Sequence, residues 1–173
     1  MKAAKFGLLF LLAACSTSGT GGEVTSARDE ILAVAGIQRT APEPVASLDR
    51  TEFGLVLNDA RGSLAPVVSH DILNDVAQGY SGAIVRSGRR IADGDNLHVG
   101  TDGSRVSDRV LAAGYDYQWV GENIAQGYDD NEEVVEAWLA SDGHREVIMA
   151  PEAEDFGIGR TERTWVLIMG KER

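Results

Sequence analysis

The chain has 173 residues, with 27 acidic against 16 basic side chains and a formal charge of −11, so a phosphate backbone would repel it and no basic stripe offsets that repulsion. Its single cysteine excludes an internal disulfide, so any fold must be held by packing alone. The length suits one domain with a sizeable core.

The opening "MKAAKFGLLFLLAACSTSGTGG" places Lys2 and Lys5 before an apolar run, Phe6 to Ala14. That run is shorter than the roughly 20 residues a bilayer-spanning helix needs. Leu12-Ala13-Ala14-Cys15 resembles a bacterial lipobox, in which the cysteine is lipidated and becomes the new N-terminus. The expectation is a lipoprotein signal peptide over residues 1–14, lipidation at Cys15, and a membrane anchor in the cell envelope. Ser16 after the cysteine fits sorting to the outer membrane, on its periplasmic side, if the host is Gram-negative. Removal of residues 1–14 leaves 159 residues and moves the charge to −13.

Residues 15–48 read as the lipidated cysteine and a flexible tether rich in Ser, Thr, Gly, Glu and Pro, with "DEILAVAGI" as a short helical turn. The folded domain is expected over 49–173. In it, "LDRTEFGLVLNDARG" has Phe53, Val56, Leu57 and Ala60 at helical spacing. "SHDILNDVAQGYSGAIVRSG" predicts a helix capped by Ser69, and leaves His70 exposed near its start. The Gly-, Asp- and Asn-rich "RRIADGDNLHVGTDGS" predicts a loop, and "RVSDRVLAAGY" a short helix ending at Gly114. "NEEVVEAWLASDGH" predicts a strong helix with Asn131 as cap and Val134, Val135, Trp138 and Leu139 on one face. "DFGIGRTERTWVLIMG" reads as a hairpin turning at "RTER". Helices first and strands late indicate an α+β layered domain.

One carboxylate stands out. Glu122 lies between a glycine and an asparagine, with Trp119, Val120 and Ile124 close by. A carboxylate in apolar surroundings needs a partner, a metal or a site wall. His98 in "DNLHVGTDG" and His144 in "WLASDGHREVIM" both adjoin glycines in irregular segments. Imidazoles there can ligate a metal or move protons, or can satisfy backbone groups near a turn. Their 46-residue separation matches no local zinc motif. Trp138 reads as core, Trp119 and Trp165 as core or cleft wall, and "GYDDNEE" as a solvated loop and helix start lacking the calcium-loop pattern.

The ordered set "LNDAR", "LHVGTDG", "RVLAAGY", "VGENIAQG", "AWLASDGHREVIM" and "FGIG" resembles the CAP superfamily (SCP/TAPS, PR-1-like) in its bacterial form, over about residues 50–173. The resemblance implies an α-β-α sandwich, with helices flanking a small antiparallel sheet, and a cleft formed by His98, Glu122, Ser141 and His144. Ser141 occupies the place where eukaryotic members carry a second glutamate, and Asp142 is not assumed to replace it. In this family two such histidines can hold a divalent ion, so His98 and His144 are the implied ligands of an open Zn(2+) site, with Glu122 orienting a water or an imidazole. The leading function is a non-enzymatic binding or interaction module with a lipid, another hydrophobic ligand or an envelope component as partner. The alternative is a metal-assisted, protease-like hydrolase with Glu122 as general base; Ser141 is the other catalytic candidate. Nucleic acid is not an expected partner.

Overall fold

Leu48 opens the part of the chain described by the computed structural model, residues 48–173. The expected signal peptide, Cys15 and the tether as far as residue 47 lie outside the described residues. Asp49 caps α1 (Arg50–Ala60), its carboxylate accepting from the N–H groups of Thr51 at 2.8 Å and Glu52 at 3.1 Å. Such bonds satisfy donors that a helix start leaves without partners. Phe53 and Leu57, one turn apart, are fully buried.

Ser69 belongs to a two-residue strand, β1 (Val68–Ser69), and His70 is the residue that precedes α2 (Asp71–Ser87). His70 is also less open than the sequence suggested. Its ring meets that of Tyr115 edge-on at 4.9 Å and is partly buried. Leu73, Ala77, Tyr80 and Ile84 form the buried stripe of α2. A single 3-10 turn (Ile91–Asp93) interrupts the loop that leads to α3 (Val106–Ala112).

Strand β2 (Tyr117–Gln126) comes next, so the helices-first order fails. Its second half hides from pattern reading because Glu122, Asn123, Ile124 and Ala125 are all buried, and a strand covered on both faces has no polar alternation. Helix α4 (Asn131–Leu139) is capped by Asp130, whose carboxylate accepts from the Glu133 N–H at 2.8 Å, and α5 (Asp142–Ile148) follows almost at once. The expected hairpin is present as β3 (Asp155–Thr161) and β4 (Thr164–Glu172).

The four strands lie in the order β1-β3-β4-β2. β4 pairs antiparallel with both neighbours, but β1 runs parallel to β3, so the sheet is mixed where an antiparallel one was expected. The long, helix-containing connection between β1 and β3 gives the chain room to return in the same direction. Along β4, Trp165, Leu167 and Met169 pack with α1, α4 and α5, whereas Val166 and Ile168 pack with α2 and α3. Helices therefore cover both faces: the α+β sandwich.

On β3 the face toward α2 carries glycine. A Cβ at Gly157 would lie 2.1 Å from the carbonyl carbon of Leu73, and one at Gly159 2.2 Å from the Gln78 nitrogen. Helix α2 thus rests directly on the strand, and its side chains cap the edge that short β1 leaves open. Asn74 Oδ1 accepts from the Ile158 N–H at 3.0 Å, and Gln78 bonds the backbone of Arg160 with both ends of its amide.

Candidate functional site

Glu122 and Asn123 are consecutive on β2, so their side chains leave opposite faces of the sheet. Glu122 shares its face with Ile124 and points toward α2 and α3. Its side chain is 2% exposed, and both oxygens are engaged: Oε1 by His98 Nδ1 at 2.9 Å and Oε2 by Arg109 Nη2 at 2.5 Å. Asn123 shares its face with Ala125 and donates through Nδ2 to the main-chain carbonyl of His144 at 2.9 Å. One peptide unit of β2 therefore ties down both histidine-bearing segments.

Each tie has support behind it. Leu97, beside His98, is buried, and its carbonyl accepts from the Tyr80 hydroxyl at 2.6 Å. Burial pushes the Tyr80 phenol up, against the pull of Arg109, so it stays a donor. The Arg109 guanidinium lies 3.5 Å over the Tyr80 ring and donates to the Ser104 carbonyl at 2.9 Å. His144 projects from the first turn of α5, partly buried. Its imidazole is held below the ordinary value, first by burial and then by the charge of His98, which puts the two rings in each other's field. Ser141, the residue before α5, is exposed.

Ser141 and His144 stand on one wall of a trough of about 980 Å³. That wall continues along α4 through Ala137 and Trp138; the loop Gly88–Ala92 forms the opposite wall, and Ile124–Gly127 of β2 and its end lie between them.

The family model described as CAP, Cysteine-rich secretory protein family, matches residues 50–165. The chain belongs to this family. Two curated relatives, both from Bacillus subtilis (strain 168), match shorter stretches of the chain. The uncharacterized protein YkwD is 44% identical over 55 residues, covering 32% of this chain and 21% of its own length. The uncharacterized membrane protein YlbC is 37% identical over 62 residues, covering 36% and 18%. The CAP chain thus spans about a fifth of each relative. Among solved structures, an extracellular SCP-domain protein of Bacillus anthracis aligns with a TM-score of 0.63 at 21% identity, over 70% of this chain and 40% of that one. An outer surface protein of Borrelia burgdorferi aligns with a TM-score of 0.61 at 20% identity, over 75% of this chain and all of its own. These likenesses establish the fold.

His98 and Glu122 are in contact, His144 and Ser141 line the trough, and His70 stands apart against Tyr115. Asp142 takes no part: its side chain is 93% exposed and pairs with Arg145 at 3.3 Å. Among the described residues no three His, Cys, Asp or Glu side chains gather around one point that could hold a metal. A closed site of three or four such ligands is therefore not built by the described side chains. With Nδ1 engaged by Glu122, His98 keeps Nε2 for a ligand, and the lowered basicity of His144 favours the neutral ring that ligation requires.

Sequence reading missed Arg109, the strongest partner of Glu122. The signal was its place on α3: Val106, Arg109 and Val110 share a stripe at spacings of three and four, so an arginine interrupts the core-facing side of a helix.

Proposed function

We propose that this CAP domain is a binding module without catalytic turnover, displayed on the cell envelope and held to the membrane by a lipid on Cys15. The observation that carries this reading is the double engagement of Glu122. A general base must reach a water beside the substrate, but this carboxylate is 2% exposed and each of its oxygens already accepts a bond, one of them from the largely buried Arg109 guanidinium. No hydrogen bond joins Ser141 Oγ to the His144 ring among the described residues, so an activated serine has no support either. What remains is a roomy trough with largely apolar walls, suited to a lipid or other hydrophobic ligand, with His144 on its wall and His98 near enough to act on that ring, the pair offering a weak zinc site. Zinc bound there would supply a Lewis-acidic anchor for an anionic group on the ligand.

The envelope location draws on the lipobox-like N-terminus and on similar folds described as extracellular or outer surface. No helix among the described residues is long and apolar enough to cross a membrane. The test is calorimetric titration of the full chain with zinc, beside its His98→Ala/His144→Ala variant. Uptake near one equivalent that vanishes in the variant is expected. Zinc-dependent peptide hydrolysis that disappears in Glu122→Gln would replace the binding module with a hydrolase.

A further inference from the structure

The two edges of the sheet are treated differently. Beyond β1, the edge of β3 is capped by Asn74 and Gln78 of α2. The outer edge of β2 has no strand beside it among the described residues, and no side chain or loop bonds the main chain of Val120–Gln126 from that side. Every second residue of an antiparallel strand turns its N–H and C=O away from its partner. Of Val120–Gln126, the residues Ile124, Ala125 and Gln126 line the trough, at the C-terminal end of β2, and Ile124 and Ala125 are nearly buried there. An open edge is normally blunted by charge, proline or cover. Here it lies recessed between two walls, wide enough apart to leave a trough of about 980 Å³.

We infer that the trough binds an extended peptide as a fifth strand on the edge of β2, with acidic and apolar residues alternating along it. This deepens the binding-module reading and rests on it. The alternation follows from the walls. Gln126, on the Glu122 face, accepts from the Ile91 N–H at 2.9 Å and donates to the Arg89 carbonyl at 3.3 Å, which sets the loop with Arg89, Arg90 and Ile91 on that face. Helix α4, with Ala137 and Trp138, covers the opposite face. Side chains of an added strand alternate between faces, so every second one meets guanidinium and the others meet apolar surface.

Charge complementarity selects the acidic partner. In a chain with a net charge of −11, the trough is lined by Arg89, Arg90 and Arg163 against Glu162 alone. The Arg89 and Arg163 side chains are committed to neighbouring carbonyls and to Asp95 or Asp129, whereas Arg90 has no ion pair among the described residues. Arg90 is exposed, so its replacement leaves the core untouched.

The probe is a capped hexapeptide alternating valine and glutamate, titrated into the isotopically labelled full chain and followed by backbone amide shifts and fluorescence anisotropy. Shifts are expected at residues 88–92 and 124–127, and Arg90→Glu should weaken binding at least tenfold. Two further peptides carry N-methyl groups on all valines or on all glutamates. A strand uses one edge, so one of the two should lose binding at least tenfold and the other should keep it. Equal affinity for both methylated peptides, equal affinity for a valine–lysine peptide, or shifts outside the trough would overturn strand addition. Oleate titrated in parallel separates the two readings. Trough shifts with oleate and none with peptide leave the binding module standing and remove the peptide; silence with both removes the trough as a binding site.

Discussion

Replacing Arg109 by methionine tests how the buried carboxylate is held. Methionine keeps much of the packing on Tyr80 but removes the partner of Glu122 Oε2, and leaves a carboxylate only 2% exposed with the His98 imidazole as its remaining partner among the described residues. Removing one partner of a buried pair costs about 3–5 kcal/mol, because the remaining charge keeps its desolvation penalty. With a urea slope of about 2 kcal/mol per M, the unfolding midpoint should fall by about 1.5–2.5 M. The double variant Arg109→Met/Glu122→Met should recover to within about 2 kcal/mol of wild type, since an apolar pair carries no such penalty. His98, whose side chain is 46% exposed, turns to water in that variant. The surface pair Lys171–Glu154 is the control, worth less than about 1 kcal/mol. A single variant that loses under about 1 kcal/mol, or a double variant whose loss is the sum of the two singles, refutes the reasoning.

Gly157→Ala should lower stability by about 3 kcal/mol, seen as a fall of roughly 10 °C in the thermal midpoint, because its methyl would collide with backbone and not with a side chain able to turn aside. Asn123→Ala should cost about 1–3 kcal/mol and loosen the start of α5, measured as faster amide exchange at residues 142–145. His144 supplies a pH dependence. Its folded-state value is lowered, so the unfolded chain takes the proton first, and the stability it contributes is whole above about pH 6.5 and is lost as pH falls through the folded value. Urea midpoints between pH 7.5 and 5 should show that loss in wild type and less of it in His144→Gln, and proton NMR of His98→Ala should find the His144 titration moved upward.

The sequence carried the layered class and the odd placement of Glu122, because local signals suffice for both: helical spacing in α1, α2 and α4, and a charge set among apolar neighbours. β2 escaped because burial on both faces erases the alternation that marks a strand. Arg109 escaped because its partner lies 13 residues away on another element, and only the fold brings them together. The parallel pairing of β1 was out of reach for a related reason: a two-residue strand has no pattern of its own, and Val68–Ser69 becomes β-structure only when β3 arrives beside it.

The consecutive anchors Glu122 and Asn123 have a mechanical consequence. The loop bearing His98 and the helix bearing His144 belong to different layers, yet both are pinned to one rigid peptide plane. Small breathing of either layer is referred to the same point, so the gap between the imidazoles behaves like the jaws of a caliper mounted on a single beam. Widening it requires one jaw to come off its mount. On the His98 side that means parting a hydrogen bond to a carboxylate, and on the His144 side one between neutral groups, so the α5 jaw is the one that yields first.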